Sequence, residues 1–225
     1  MPAPDATRLV DLSHTVEHGL ITYRGLPAPL ISDHLTRADS RKIYAAGTEF
    51  HIGKIEMVAN TGTYLDSPFH RYEDGADLAQ LSLTSLADLD AVVVRAPEGR
   101  SIDSPHFGNV EVAGRAVLVH TNWARHWGSE QYFEGHPFLT KEAAQFLAQS
   151  GARLVGVDSY NIDDTADASR PAHSILLRAG VPVVEHLCNM DALPDSGFKF
   201  FAVPVKVKGM GTFPVRAFGL LKSDK

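Results

Sequence analysis

A carboxylate and an imidazole lie four residues apart in segment 60–70, and both groups can bind a divalent cation or transfer a proton. The pair is Asp66 and His70. Gly62 permits a sharp turn before them, and Pro68 interrupts any strand between them. The pattern predicts a short strand and then a bend that brings His70 back toward Asp66.

The alternation of side chains along an extended segment would place Asn60, Tyr64 and Asp66 on one side of that strand. A structural interpretation is also open, because Asp-Ser-Pro is common in ordinary turns and a neighbouring histidine can be a surface group. Segment 60–70 alone does not decide between a turn and a site.

Segment 170–185 contains a second imidazole and a second carboxylate. Pro171 suits the first turn of a helix and Gly180 suits its end, so His173 is predicted in the helix's first turn. Glu185 follows in a predicted strand, with apolar residues on the same side. A carboxylate in such a series is costly unless it is paired, protonated or bound to a cation. We therefore expect a partner for Glu185.

The two segments together offer nitrogen and oxygen ligands from Asp66, His70, His173 and Glu185. Such a set suits zinc, manganese or iron(II), because imidazole and carboxylate bind borderline and hard divalent cations. The spacing within each segment is weak support by itself. Whether His70 is a ligand or a proton carrier stays open.

Composition limits the classes of function. The 225 residues can form one domain, residues 1–225, and the 44% hydrophobic and 21% charged residues are typical of a soluble globular protein. A formal charge of -6 without long runs of one sign argues against a nucleic-acid partner or an anionic membrane. Residues 1–7 lack the features of a secretory signal, and no run of 18 apolar residues follows. We expect a cytoplasmic protein that acts on a small molecule.

Apolar runs at residues 91–96, 116–121 and 153–159 predict buried strands. Between the last two, Thr140 and Gly151 mark the ends of a predicted helix. This alternation predicts an α/β fold with helices on a mixed or parallel sheet.

Several further residues have two interpretations. Asp158 ends a predicted strand, where α/β proteins bind ligands, whereas Asp163 and Asp164 are predicted to be solvated loop acids. Trp123 and Trp127 could line a pocket for a planar substrate or belong to the core or a dimer contact. The remaining residues of this kind are His14 and His18, which could approach a site, and Cys188, which we interpret as a buried small hydrophobic residue.

The chain resembles the cyclase-like metal-dependent hydrolases, the family that includes bacterial kynurenine formamidase and isatin hydrolase. The family signature is His-x-Gly-Thr-His-x-Asp-x-Pro-x-His, and residues 60–70 read Asn-Thr-Gly-Thr-Tyr-Leu-Asp-Ser-Pro-Phe-His. The family's histidine followed twelve residues later by glutamate is matched by His173 and Glu185. The resemblance extends from about residue 10 to residue 220. It implies a swivelling β/β/α-type fold with a mixed, barrel-like central sheet flanked by helices, assembled as a homodimer or homotetramer.

The chain departs from the signature at two ligand positions, where Asn60 and Tyr64 replace histidines. An amide oxygen is a poor zinc ligand, and a phenol with a pKa near ~10 must lose its proton to become a good one. We therefore expect a single divalent ion, zinc by preference, or none. The resemblance implies that it would be held by Asp66, His70, His173 and Glu185.

The resemblance implies metal-assisted hydrolysis of a small amide, formamide or cyclic amide, as in tryptophan catabolism. A bound ion can lower the pKa of water from ~15.7 to ~7 and polarise a carbonyl. We expect catalytic roles for His70 and Glu185, and Tyr64 could donate a hydrogen bond to the oxyanion. Two alternatives stay open: a cyclase or dehydratase that uses acid and base groups without metal hydroxide, and a catalytically inactive oligomeric protein that binds small molecules.

Overall fold

The computed structural model describes residues 8–221, which form three α-helices and thirteen strands. The helices are α1 (Arg37–Ser40), α2 (Lys141–Gln149) and α3 (Pro171–Arg178). The strands are β1 (Arg8–Asp11), β2 (Leu30–Leu35), β3 (Ile52–Glu56), β4 (Tyr64–Asp66), β5 (Leu89–Arg95), β6 (Ser101–Ile102), β7 (Ala116–His120), β8 (Phe138–Leu139), β9 (Leu154–Val157), β10 (Val183–Glu185), β11 (Phe198–Phe201), β12 (Thr212–Pro214) and β13 (Phe218–Leu221).

Nine strands form one mixed sheet in the order β1-β13-β11-β5-β7-β9-β10-β4-β12, which curls into a half-barrel. Its centre, β5-β7-β9-β10, is parallel, and its two flanks are antiparallel. This architecture confirms the predicted α/β class with a mixed, barrel-like sheet. The pairs β2-β3 and β6-β8 are separate two-stranded sheets.

The central strands are apolar because both of their faces are buried. Val92 and Val94 of β5 pack in one core cluster together with Leu147 of α2 and Leu176 of α3. The intervening Val93 packs in a second cluster on the opposite face of the sheet. The two helices thus cover one face, while the curl of the sheet encloses the other.

Local signals set the helix boundaries. Helix α2 begins after Thr140, whose hydroxyl accepts a hydrogen bond from the backbone N–H of Ala143, and Gly151 follows it with a φ of +77°. Helix α3 begins at Pro171, and Gly180 follows it with a φ of +75°. Both helices therefore lie where the sequence predicts them.

Strand β3 belongs to an antiparallel ribbon with β2, and every residue of β3 is exposed. The alternation of side chains at residues 49–59 predicts a longer strand that leads into segment 60–70, and the observed strand is three residues shorter at each end. No helix within residues 8–221 has the length and apolar character needed to cross a membrane. Residues 1–7, on which the expectation of no secretory signal rests, lie outside the described residues.

Candidate functional site

Strand register determines what the side chains of β4 meet. Tyr64 lies opposite Glu185 in the pairing of β4 with β10, and Asp66 lies opposite Thr212 in the pairing with β12. Tyr64 and Asp66 are two residues apart and therefore share one face of the strand. Asp66 is fully buried and accepts a hydrogen bond from the hydroxyl of Thr212.

The bend after β4 brings His70 back to Asp66, as the sequence predicts. A 3₁₀ turn at Pro68–His70 places Nδ1 of His70 3.6 Å from Oδ1 of Asp66 and 2.8 Å from Oγ1 of Thr212. Gly211 makes this approach feasible, because a Cβ atom at that position would overlap the backbone of His70.

His173 reaches the same place from the first turn of α3. The carboxylate of Asp163 accepts hydrogen bonds from the backbone N–H groups of Ala172 (2.5 Å) and His173 (3.1 Å), and its Oδ2 lies 2.6 Å from Nδ1 of the His173 ring. The ring's Nε2 then faces the other acids, 3.5 Å from Oδ2 of Asp66 and 3.7 Å from Oε1 of Glu185. Asp163 thus caps the helix and orients the imidazole.

The charges around His173 decide its proton affinity. Burial opposes a charged imidazole, but the carboxylates of Glu185, Asp163 and Asp66 outweigh that effect and raise the pKa of His173 to about 10. Burial opposes the ionised form of Asp66, but its attraction to the neighbouring imidazoles and the hydrogen bond from Thr212 outweigh that effect and lower its pKa. Three buried acids around one imidazole therefore demand positive charge at this position.

Glu185 has partners for both oxygens, as its position in an apolar strand requires. Tyr64 donates its hydroxyl hydrogen to Oε2 at 2.7 Å, and the backbone N–H of Ile162 donates to Oε1 at 2.6 Å. Burial raises the pKa of Glu185 to about 7, a shift that the charge of His173 opposes and that of Asp66 reinforces. Burial and the charges of both acids raise the pKa of Tyr64 well above 10, so its phenol stays protonated.

Two further buried groups hold the Tyr64 hydroxyl in place. Nε2 of His186 lies 3.3 Å from it, and the hydroxyl of Tyr132 lies 2.8 Å from Nδ1 of His186. Burial lowers the pKa of His186 to about 3, so the ring is neutral and has one N–H. Because Tyr64 donates to Glu185, its oxygen accepts from Nε2, and Nδ1 accepts from Tyr132. The hydrogen bonds run in one direction toward Glu185.

These side chains open into a cavity of about 290 Å³. Its lining combines candidate site residues with aromatic, amide and basic side chains. They are Tyr23, Leu26, Asn60, Tyr64, His70, Arg71, Asn161, Arg170, His173 and Glu185. The cavity thus brings the carboxylate of Glu185 and the imidazoles of His70 and His173 within reach of a small molecule.

Asp66, His70 and His173 fit a divalent cation. One potential ligand atom from each lies within 4.8 Å of the other two. Within the described part of the chain, Oδ2 of Asp66 is buried without a hydrogen-bond partner, as expected of an atom awaiting a ligand. Asp163 behind His173 reproduces the carboxylate that commonly orients a metal-binding imidazole. Glu185 lies beside this group, with both of its oxygens already hydrogen-bonded.

The sequence profile of a family described as "Putative cyclase" matches residues 10–164, more than half of the chain. The chain belongs to this cyclase family. It is 26% identical over 213 residues to a kynurenine formamidase of Bacillus cytotoxicus, covering 94% of this chain and 97% of that protein. It is 29% identical over 171 residues to a kynurenine formamidase of Bacillus cereus, covering 74% of this chain and 78% of that protein.

Solved structures share the fold of this cyclase-family chain. Isatin hydrolase A from Ralstonia solanacearum superposes with a TM-score of 0.81 at 22% identity, covering 96% of this chain and 92% of that one. A potential metal-dependent hydrolase with cyclase activity superposes with a TM-score of 0.78 at 23% identity, covering 98% and 100%. These likenesses confirm the fold that the family resemblance implied.

The two departures from the cyclase signature lie side by side at the site. Asn60 and Tyr64 both line the cavity, and an Asn60 side-chain hydrogen bond favours the ionised form of the Tyr64 phenol, a smaller effect than burial. The hydroxyl hydrogen of Tyr64 is donated to Glu185. Asp66 and His70, the acid and the final histidine of the signature, form one cluster with His173.

The prediction that Asp163 is a solvated loop acid is wrong. Asp163 is fully buried and binds the first turn of α3 together with the ring of His173. Its neighbour Asp164 does lie nearer the surface, 3.4 Å from Arg100. The backbone N–H groups at the start of α3, nine residues away, donate to the Asp163 carboxylate. These hydrogen bonds offset the cost of burying it.

The two tryptophans, Trp123 and Trp127, do not line the cavity. Trp127 is half-buried, stacks on His14 with 3.9 Å between ring centroids and contacts the edge of Tyr132. Trp123 donates to the Tyr132 carbonyl. Nδ1 of His18 accepts a hydrogen bond from the backbone N–H of Ile31, in the β2-β3 ribbon.

Two other candidates have structural roles. Asp158 is buried beside the neighbouring strand and accepts hydrogen bonds from the backbone N–H and hydroxyl of Thr121, at 2.7 Å and 2.6 Å. It does not line the cavity. Cys188 is buried, and burial raises the pKa of its thiol to about 12, so it behaves as the small hydrophobic residue that the sequence indicates.

Sequence reasoning missed Thr212 and His186, and with them Arg71 and Arg170. Thr212 follows a glycine in a short edge strand, and His186 stands between Glu185 and an apolar residue, so neither has a local signal. Strand pairing across more than a hundred residues brings each of them to the site.

We expect Asp163→Asn to weaken metal binding by about 10- to 100-fold, the usual cost of losing a carboxylate behind a metal-binding imidazole. An asparagine keeps the size of the side chain but removes the charge that orients His173. Calorimetric titration with zinc measures the effect, and Asp164→Asn is the matched control. Equal zinc affinities in the two variants would contradict the role assigned to Asp163.

Proposed function

We propose that this chain is a metal-dependent hydrolase of a small amide, formamide or cyclic amide, similar to an arylformamidase. The observation that supports it most is the cluster of Asp66, His70 and His173, whose two imidazoles line a cavity of about 290 Å³. Relatives named kynurenine formamidase and a structural neighbour named isatin hydrolase support the same class of reaction.

Asp66, His70 and His173 would hold one divalent ion, zinc by preference, with Glu185 beside it. Such an ion would polarise the carbonyl of the amide and lower the pKa of a bound water. The amide C–N bond breaks as a C–O bond to water forms, and a proton passes to the departing amine nitrogen. A metal-bound imidazole nitrogen has no lone pair left to accept a proton, so with His70 as a ligand this transfer is carried out by another group.

Glu185 and Tyr64 give the cavity a fixed polar wall. The phenol holds one oxygen of Glu185, and the backbone N–H of Ile162 holds the other. With its pKa raised to about 7, Glu185 can accept or release a proton near neutral pH. We assign Glu185 the role of a proton acceptor close to the reacting amide and Tyr64 the role of positioning it.

Metal content and turnover test this proposal together. We expect protein purified without added metal to contain about one equivalent of a transition metal and to hydrolyse N-formylkynurenine or isatin. A chelator should remove the metal and the activity, and restoring the ion should recover both. Metal-free protein without hydrolysis of either compound, or chelated protein with full activity, would contradict the proposal.

A second candidate function is cyclisation or dehydration by acid and base groups alone. The pairing of a protonated Tyr64 phenol with Glu185, whose pKa is raised to about 7, favours it, because these are the groups that such chemistry needs. This function would persist in chelated protein, which separates it from metal-dependent hydrolysis.

The homodimer or homotetramer implied by the family resemblance also stays a proposal, as does a cytoplasmic location. Light scattering on the purified chain would give its mass in solution. A mass of 24.4 kDa, that of one chain, would contradict the proposed oligomer.

A further inference from the structure

Two arginines border the cavity with only neutral partners. Within residues 8–221, neither has a carboxylate oxygen within 4.0 Å of its guanidinium nitrogens. Nε of Arg71 donates to the hydroxyl of Ser174 at 3.3 Å, and its guanidinium lies 5.3 Å from the centre of the Tyr72 ring.

Arg170 is held at the end of the loop that precedes α3. Its Nη1 donates to the backbone carbonyl of Asp164 at 3.2 Å, and its Nη2 lies 3.5 Å from the hydroxyl of Tyr23. Its backbone has a φ of +47°, uncommon for a residue with a side chain and more so before proline. The fold therefore tolerates backbone strain while it holds this arginine at the cavity wall.

Two other arginines differ from Arg71 and Arg170 because they do have acidic partners. Arg178, on the same helix as Ser174, pairs with Asp74 at 3.1 Å, and Arg100 pairs with Asp164 at 3.4 Å. Arg71 and Arg170 have no such acid and share one cavity.

The charged groups of the cavity lining differ in burial. Glu185 is only 1% exposed, whereas Arg71 is exposed and Arg170 is half-buried, so both guanidiniums lie nearer the solvent than the acid does. Tyr23 also lines the cavity and stacks on Tyr160 with 4.8 Å between ring centroids, which adds a flat apolar surface. A molecule that matches this arrangement is planar and carries a negative group away from the bond that reacts.

We propose that the cavity selects aromatic amides that carry a carboxylate, and that Arg71 and Arg170 bind this carboxylate. Guanidinium groups pair with carboxylates through short, charge-assisted hydrogen bonds, which fix orientation as well as affinity. The inference rests on the proposed function for the identity of the amide. The carboxylate selectivity itself can be measured without hydrolysis.

Binding of a matched pair of compounds tests the selectivity. Anthranilate and aniline differ by one carboxylate, and neither has an amide that can be hydrolysed. We expect the metal-containing protein to bind anthranilate at least about 10-fold more tightly in calorimetric titrations, the effect of one hydrogen bond to a charged group. We expect Arg71→Gln and Arg170→Gln to reduce that ratio about 10-fold each, and Arg170→Lys to reduce it less.

Arg178→Gln is the control, because it removes an arginine of α3 that pairs outside the cavity. A purely structural role of Arg170 would change the affinities for both compounds alike and leave their ratio unchanged. If the metal bound the carboxylate instead, the preference for anthranilate would be unchanged in Arg71→Gln, Arg170→Gln and Arg170→Lys. Either result, or equal affinities in the unaltered protein, would overturn the carboxylate site.

A parallel assay separates this inference from the proposed function. 2-Formamidobenzoate and formanilide also differ by one carboxylate, and each has a hydrolysable formamide. Hydrolysis of both at rates that do not depend on the carboxylate or the arginines would retain the amidase and overturn the carboxylate site. Selective binding of anthranilate with no hydrolysis of any amide would retain the carboxylate site and overturn the amidase.

Discussion

His173→Ala should lower the kcat/KM for amide hydrolysis by at least about 100-fold and remove the metal from the purified protein. Loss of the carboxylate behind such an imidazole already costs about 10- to 100-fold, and this change removes the imidazole itself. It also leaves Asp66 and Glu185 buried without the positive charge that the ion at His173 would supply. Elemental analysis and steady-state kinetics measure the two effects.

The control for His173→Ala is His34→Ala, because His34 is exposed on the β2-β3 ribbon away from the cavity. A thermal melt shows whether the His173 variant is folded. If it is folded, stays loaded with metal and keeps its activity, the assignment of His173 as a ligand is wrong.

The double substitution Asn60→His and Tyr64→His should raise the metal content from about one to about two ions per chain. It restores both histidines of the family signature, and it removes the phenol that donates to Glu185. Oε2 of Glu185 would then be available to a second ion, together with the two new imidazoles. Elemental analysis gives the stoichiometry without any reference to activity.

The matched control is Asn60→His with Tyr64→Phe, which removes the same hydroxyl but adds only one ligand. Both variants leave His186 with an altered partner, so a thermal melt must accompany each of them. A metal content of one in the double-histidine variant would contradict the idea that these two residues are what limits the site to a single ion.

Much of the site was predictable because local chemistry fixes it. Thr140 and Gly151 delimit α2, and Pro171 places His173 in the first turn of α3. The apolar neighbours of Glu185 required a buried partner, and the structure provides Tyr64. These inferences depend on residues close in sequence or on the energy of a single buried charge.

The remaining contacts depend on which strands pair, and the sequence does not reveal that. Asp163 resembles any loop acid until the start of α3 folds over it. Thr212 meets Asp66 only because β12 pairs with β4 in one register. Arg71 and Arg170 lie 99 positions apart, and only the folded chain shows that they share a cavity.

Anomalous diffraction from crystals of the purified protein, recorded on either side of the metal's absorption edge, tests the central claim most directly. We predict one peak, at bonding distance from side-chain atoms of Asp66, His70 and His173. No peak among these three residues, or a single peak bound elsewhere in the chain, would contradict the proposed metal centre and the hydrolysis that depends on it.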